Sequence, residues 1–351
     1  MPALAQEVSM TAKYERTWEH RRAAGRSVSD EARTSYYGLP TIHKPHWKWL
    51  IIWYFFLGGI SAASYVIATL ADLLAKSHDA RRIARAGRYL SLATLIPSPI
   101  LLILDLGRPE RFFHMLSILK LRSPMSVGTW GLTIFGGFCG LSALIQAAQD
   151  GLLAWARPLN RLLLALPRRA IGLVGSVFGF FVGGYTGVLL SATAVPLWAR
   201  NFLLLGPLFL TSALSTATAA VTLVLALGRR VNRRALHVLE RLDRLALAIE
   251  LGLILAVRLN AGAVIGRPLR QGRLGALFRW GVLGAGICAP ALTHVVGRLM
   301  RAPTRLVAIL ASSLVLIGGF LLRYVVVMAG RASADDPEAY FAFTRHTRPR
   351  A

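Results

Sequence analysis

Apolar runs of about 20 residues recur along the chain, each long enough to cross roughly 30 Å of hydrocarbon as a helix. Inside a bilayer every backbone amide must be bonded internally, so only helices and closed barrels span it. A barrel would need ten-residue segments of alternating polarity, and the sequence has none. The expected fold is therefore all-α, a polytopic integral membrane protein with about eight transmembrane helices in a bundle. The spans are expected near Trp47–Leu74, Ala86–Leu106, Val127–Ala148, Ala170–Ala194, Phe202–Leu227, Leu242–Leu259, Trp280–Val296 and Arg305–Ala329. With 55% hydrophobic and 16% charged residues, against roughly 25% charged in a soluble domain, neither a disordered chain nor a soluble enzyme fits.

This divides the chain into a polar basic tail over residues 1–45, a membrane domain over 46–330 and a polar tail over 331–351. Both tails are polar enough to be poorly ordered alone. The first 45 residues contain no apolar stretch, so no cleavable signal peptide is expected. The formal net charge of +25 comes mostly from arginine. The cations sit in short gaps between apolar runs, where they anchor helix ends, so nucleic acid is not an expected partner while membrane lipid is. Lys and Arg favour the gaps after the first, third, fifth and seventh spans. That bias places those gaps in the cytoplasm and both termini outside.

Charges inside a span cost roughly 2.5–3.5 kcal/mol on insertion scales and tend to be paired or functional. Candidates are Asp72, Asp105, Arg108, Glu250, Arg258 and Arg323. Asp105 and Arg108 are spaced by three, which aligns them on one face if the second helix continues that far. They form either an interfacial ion pair or a polar pocket in which Asp105 passes protons. Glu250 lies near the middle of the sixth span, as a structural ion-pair partner or a proton-path carboxylate, with Arg323 a possible partner from another helix. Asp72, near the end of the first span, has water as its simplest neighbour.

The helix at Ala170–Ala194 carries Gly175, Gly179, Gly183 and Gly187 at intervals of four, a face that another helix can approach closely. Cys139 and Cys288 stand alone, so this chain holds no iron–sulfur cluster by itself. Among eight histidines only His294 lies well inside a span, which argues against bis-histidine haem. No metal-ligand, phosphate-loop or hydrolase motif occurs. Tyr36, Tyr37, Trp47, Trp49, Trp53 and Tyr54 cluster at the start of the first span. They read as an interfacial belt or as walls for a flat apolar ring such as a quinone.

Four segments resemble the NrfD-like membrane subunits of the polysulfide reductase family. They are Tyr37-Gly-Leu-Pro40 with Trp53–Ser64; Asp105-Leu-Gly-Arg-Pro-Glu-Arg-Phe112 leading to Arg122–Trp130; Gly184-Tyr-Thr-Gly187 with Pro196-Leu-Trp198; and Gly318–Tyr324 with Ala329-Gly330. The resemblance implies a quinone-reactive anchor (menaquinone or ubiquinone) in a bacterial cytoplasmic membrane. It implies a ferredoxin-type iron–sulfur partner subunit, with a molybdopterin oxidoreductase subunit beyond it. It points to Tyr185 as a donor to a quinone oxygen, and to Asp105 and Arg108 as a proton-handling or pocket-shaping pair. The family's Asn/His pair early in the first helix is replaced here by Ile51, Ile52, Trp53 and Tyr54. His46, Lys48 or Tyr54 could take its place, Tyr54 first, with Trp53 as a wall. The alternatives are a secondary transporter, for which no internal repeat is visible, and a structural anchor without a working quinone site.

Overall fold

The computed structural model describes residues 45, 47–74, 77–106, 109–228 and 233–347. Eight long helices follow one another: α1 (Trp49–Leu74), α2 (His78–Leu104), α3 (Pro124–Gln149), α4 (Arg168–Ser191), α5 (Phe202–Leu227), α6 (Arg233–Ala261), α7 (Gly272–Leu299) and α8 (Thr304–Ala334). No strand occurs among the described residues. All but α6 contain a stretch long and apolar enough to cross a membrane. The first half of α6 is instead amphipathic, burying Leu236, Leu239 and Ala246 while Arg241 and Arg244 face outward. For that reason it starts at Arg233 rather than at the expected Leu242. The chain is a multi-pass membrane protein, and alternation gives it two faces. The first face holds the start of α1 and the end of α8; the second holds the α1–α2 and α3–α4 connections.

Three other expectations are corrected. Helix α2 begins at His78, where Ser77 caps it by accepting the Ala80 amide at 3.2 Å. Proline lacks an amide hydrogen, and Pro97 interrupts the helix, which resumes from Pro97 to Leu104. Asp105 then caps its end, so the helix does not run on to align Asp105 with residue 108. Arg108 itself lies outside the described residues.

Helix α7 is wound as a π-helix over Leu277–Cys288, and there Gly286 meets Gly318 of α8. A Cβ on Gly286 would stand 2.6 Å from the Gly318 Cα, so two glycines make that approach possible. Helix α8 runs on to Ala334, past the expected boundary. A further helix, Pro337–Thr347, is tied to the α6–α7 connection by Arg267, which bonds Asp336 at 3.3 Å and Glu338 at 2.8 Å.

Helix α1 occupies the middle of the bundle, packing against α2, α4, α5 and α8. The apolar window that crosses the membrane is 83% buried within the protein itself. Small residues allow this. Ser61 bonds the Ser91 carbonyl of α2 at 2.8 Å, and Gly59 leaves room for the Arg323 guanidinium. The glycine row of α4 is a packing surface. Gly175 faces the Tyr65 ring, Gly179 the Ala62 carbonyl, and Gly187 the Leu205 carbonyl of α5.

Candidate functional site

At the first face, α1 is fastened before it enters the bundle. Trp47 stacks on Trp198, a buried ring of the short helix Pro196–Arg200, at 5.6 Å. Trp198 donates its indole N–H to the Val326 carbonyl at 2.9 Å, and Arg331 donates to the Trp47 carbonyl at 3.0 Å. One turn further in, Tyr54 is buried at 4% exposure, its ring beside Gly58 and near the Ser98 hydroxyl at the interruption of α2. Among the described residues the Tyr54 hydroxyl has no hydrogen-bond partner. Tyr185 stands towards the end of α4, at the same face. The Tyr185 hydroxyl donates to the Pro124 carbonyl at the start of α3, and its ring stacks on Phe181 at 5.1 Å. Gly128 makes this seat, since a Cβ there would occupy the Tyr185 ring.

At the same face, an apolar cavity of about 210 Å³ opens between α2, α3 and the short helix Phe113–Ser117, and neither tyrosine lines it. Leu95, Leu102, Met115 and Leu132 form its walls, with Thr129 and Thr133 the hydroxyls among them. Leu106 lines it too, and its neighbour in the chain, Asp105, is half-buried.

Deeper in the membrane, Arg323 of α8 is fully buried. It donates to the Phe55 carbonyl at 3.2 Å, the Ser212 hydroxyl at 3.1 Å and the Gly319 carbonyl at 2.7 Å. Its guanidinium also lies over the Phe56 and Phe209 rings, at 5.6 and 5.9 Å. The expected Glu250–Arg323 pair is indirect. Glu250 accepts from the Ser215 hydroxyl at 2.7 Å, and Ser212 stands between the carboxylate and the guanidinium. A buried carboxylate thus shares a low-dielectric region with a buried cation, and hydroxyls join them.

Two buried acids have partners or settings that spacing along the chain does not reveal. Asp72 does not face water. Arg88 bonds it at 2.6 Å and Arg168 at 2.8 Å, and Arg88 also donates to Gln146 at 2.7 Å. Asp243, one helical stretch before Glu250 on α6, is buried, and its Oδ1 has no partner among the described residues. It borders a cavity of about 240 Å³ at the second face, shared with Glu240, His294 and Arg298. Glu240 pairs there with Arg298, and His294 lies 3.5 Å from it. Asp243 sits in a charged stretch that reads as helix-end polarity, so hydropathy alone passes over it.

Tyr54, Tyr185 and Asp105 therefore share the first face, each on a different helix end. Trp53 is turned away, 40% exposed, and packs on Phe320 of α8 at 4.6 Å. Glu250 belongs to a separate, deeper cluster. His46, like the Tyr37–Pro40 segment, lies outside the described residues.

Comparison with known proteins places this arrangement. The model of the family described as polysulphide reductase, NrfD, matches residues 41–334, which is most of the chain. The chain belongs to the NrfD family. Among relatives of this NrfD-family protein, the C chain of polysulfide reductase from Wolinella succinogenes is 27% identical over 303 residues, covering 81% of this chain and 94% of the relative. Protein NrfD of Escherichia coli is 28% identical over 311 residues, covering 81% and 95%. The C subunit of selenate reductase from Mesobacillus selenatarsenatis is 27% identical over 89 residues, 25% of this chain and 20% of the relative.

Proposed function

We propose that this chain is the quinone-reactive membrane anchor of a multi-subunit oxidoreductase in a bacterial cytoplasmic membrane. It exchanges electrons between the quinone pool and a ferredoxin-type iron–sulfur subunit, with a molybdopterin oxidoreductase subunit beyond. The observation that carries this reading is the first-face site. At that face stand an apolar cavity and, apart from its lining, a buried tyrosine, Tyr54, whose hydroxyl has no partner among the described residues. A quinone is a flat apolar ring with two polar oxygens, and such a ring needs apolar walls with a few placed donors. A cavity of about 210 Å³ suits the ring, while the isoprenoid tail lies along the outward surfaces of α2, where Ile100 and Leu104 are exposed. The match to nearly the whole of a relative named as one chain of a polysulfide reductase supports the subunit role.

When bound, the quinone supplies the two-electron redox chemistry. The protein's own residues do the rest. Tyr54 and Tyr185 orient the ring oxygens by donating hydrogen bonds, Tyr185 exchanging its Pro124 acceptor for the ligand. Asp105, next in the chain to Leu106 of the cavity wall, holds or releases the proton that accompanies each electron, with Arg108 as its neighbour in sequence. Glu250 serves as a deeper proton-holding carboxylate, kept close to Arg323 by Ser212 and Ser215. The second face is the cytoplasmic one, and both termini lie outside.

The test is mass spectrometry of the complex purified in mild detergent, with quinone extracted from the same sample. Stoichiometric quinone together with an iron–sulfur protein is expected. An iron–sulfur partner without quinone, after purification with quinone added throughout, assigns a purely structural anchor. A solitary chain lacking both overturns the proposal in favour of a transporter.

A further inference from the structure

At the second face the starts of α2 and α4 converge on an open cavity of about 530 Å³. Five arginines line it, Arg81, Arg82, Arg85, Arg88 and Arg168, against two carboxylates, Asp72 and Asp150. Both carboxylates are already engaged. Asp72 is held by Arg88 and Arg168, and Asp150 by Arg85 at 2.9 Å and the Tyr89 hydroxyl at 2.6 Å. Five guanidinium groups thus face two carboxylates among the lining residues. Arg168 also opens α4, whose first turn carries no acidic residue. A cation there opposes the helix dipole, and a bound anion relieves that opposition.

The cavity does not end in water. Arg82 and Arg85 also line an adjoining groove of about 600 Å³ between α2 and α5. Its other walls are largely apolar: Ala86, Leu90 and Ala93 on one side, Val224 and Leu225 on the other. Arginines at helix ends ordinarily serve only to anchor topology. Here they come from two helices onto one cavity, and two of them, Arg82 and Arg85, also border an apolar groove. Charge at the rim with a hydrocarbon wall below is the chemistry of an anionic lipid, and basic pockets between helices recognise such headgroups.

The geometry points to a specific site for an anionic glycerophospholipid. Its phosphate lies among Arg81, Arg82 and Arg168, and one acyl chain occupies the groove between α2 and α5. The site lies at the opposite face from Tyr54 and Tyr185 and does not depend on the quinone reading. A free phosphate would use the same arginines and leave the groove empty, so the groove distinguishes the two.

Native mass spectrometry of the complex in mild detergent, with added phosphatidylglycerol or phosphatidylcholine, tests this. The wild type should retain phosphatidylglycerol about tenfold or more tightly than phosphatidylcholine, as expected when at least two cations face the headgroup. Arg81→Gln with Arg82→Gln should abolish that preference. Ala93→Trp, at an exposed position in the groove, leaves every charge in place and should also weaken retention. Equal retention of the two lipids by the wild type overturns the proposal. So does displacement of the bound species by millimolar inorganic phosphate together with unchanged retention in Ala93→Trp, which assigns a free-anion site. The wild-type comparison stands even where the double variant fails to assemble.

Discussion

Arg323 and Glu250 lie in the same buried region without forming a direct ion pair; serine hydroxyls from α5 stand between them. Each charge is solvated by the protein rather than cancelled by contact. The Arg323 guanidinium is satisfied by backbone carbonyls and aromatic faces as much as by the distant carboxylate. The two residues should therefore respond differently to substitution. Glu250→Gln keeps the shape and an acceptor for Ser215, so the complex should assemble at near wild-type levels while quinol turnover falls at least about tenfold. Arg323→Ala leaves several buried acceptors empty and should destabilise by roughly 3–5 kcal/mol. Complex yield, thermal unfolding and quinol-dependent turnover read the two effects separately. Full turnover in an intact Glu250→Gln complex removes Glu250 from the proton route.

The Tyr185 seat gives a second pair of expectations. Tyr185→Phe deletes one hydrogen bond to the Pro124 carbonyl, a loss of about 1 kcal/mol, and keeps the ring where it is. Gly128→Ala places a methyl where the ring lies and forces the ring or α3 to move. The glycine variant should therefore lose more thermal stability and more quinone affinity than the tyrosine variant. A Gly128→Ala protein with wild-type stability and affinity contradicts the packing described for Tyr185.

Tyr54 and Asp105 separate binding from proton handling. Tyr54→Phe removes the unpartnered hydroxyl with little change in packing, so it should raise the KM for quinol several-fold and leave assembly unchanged. Asp105→Asn should lower kcat instead, with KM near the wild-type value. Steady-state kinetics on purified complex, normalised to assembled subunits, decides between these assignments. An unchanged kcat for Asp105→Asn excludes it from proton transfer.

Asp72 is expected to act on stability alone. Asp72→Asn weakens the pairs with Arg88 and Arg168 and leaves a buried guanidinium poorly compensated, at a cost on the order of 3 kcal/mol. Thermal unfolding should shift down, whereas turnover per assembled complex should remain as in the wild type, because the cluster lies at the opposite face from the tyrosines. A selective loss of turnover at unchanged stability would tie this cluster to the reaction.

Much of the architecture is written in local pattern. Twenty-residue apolar runs announce their helices because the bilayer demands that length, and Glu250 stands out because a carboxylate amid such a run is costly. The start of α6 escapes that reasoning. From Arg233 to Arg244 the helix buries only one stripe, so mean hydropathy falls while Leu236 and Leu239 are still inside. Asp72 looks like a helix-end charge beside water because Arg88 and Arg168, 16 and 96 residues on, come to it only when α2 and α4 fold back. Family resemblance suggests the pairing of Tyr54 with Tyr185. The seat of the Tyr185 ring, a missing Cβ at Gly128 on another helix, is a contact that no single span encodes.

The central position of α1 has a consequence for how the protein is made. Helix α1 leaves the ribosome carrying polar groups whose partners emerge later: Ser91 for Ser61, Arg88 and then Arg168 for Asp72, and Arg323, 268 residues downstream, for the Phe55 carbonyl. Until α8 has been synthesised, α1 cannot be enclosed as it is in the finished bundle. Biogenesis therefore requires that α1 be sheltered at the insertion machinery, or held loosely in lipid, while seven further helices arrive. A product truncated before α8 should be recognised by membrane quality control through the polar side of its own first helix.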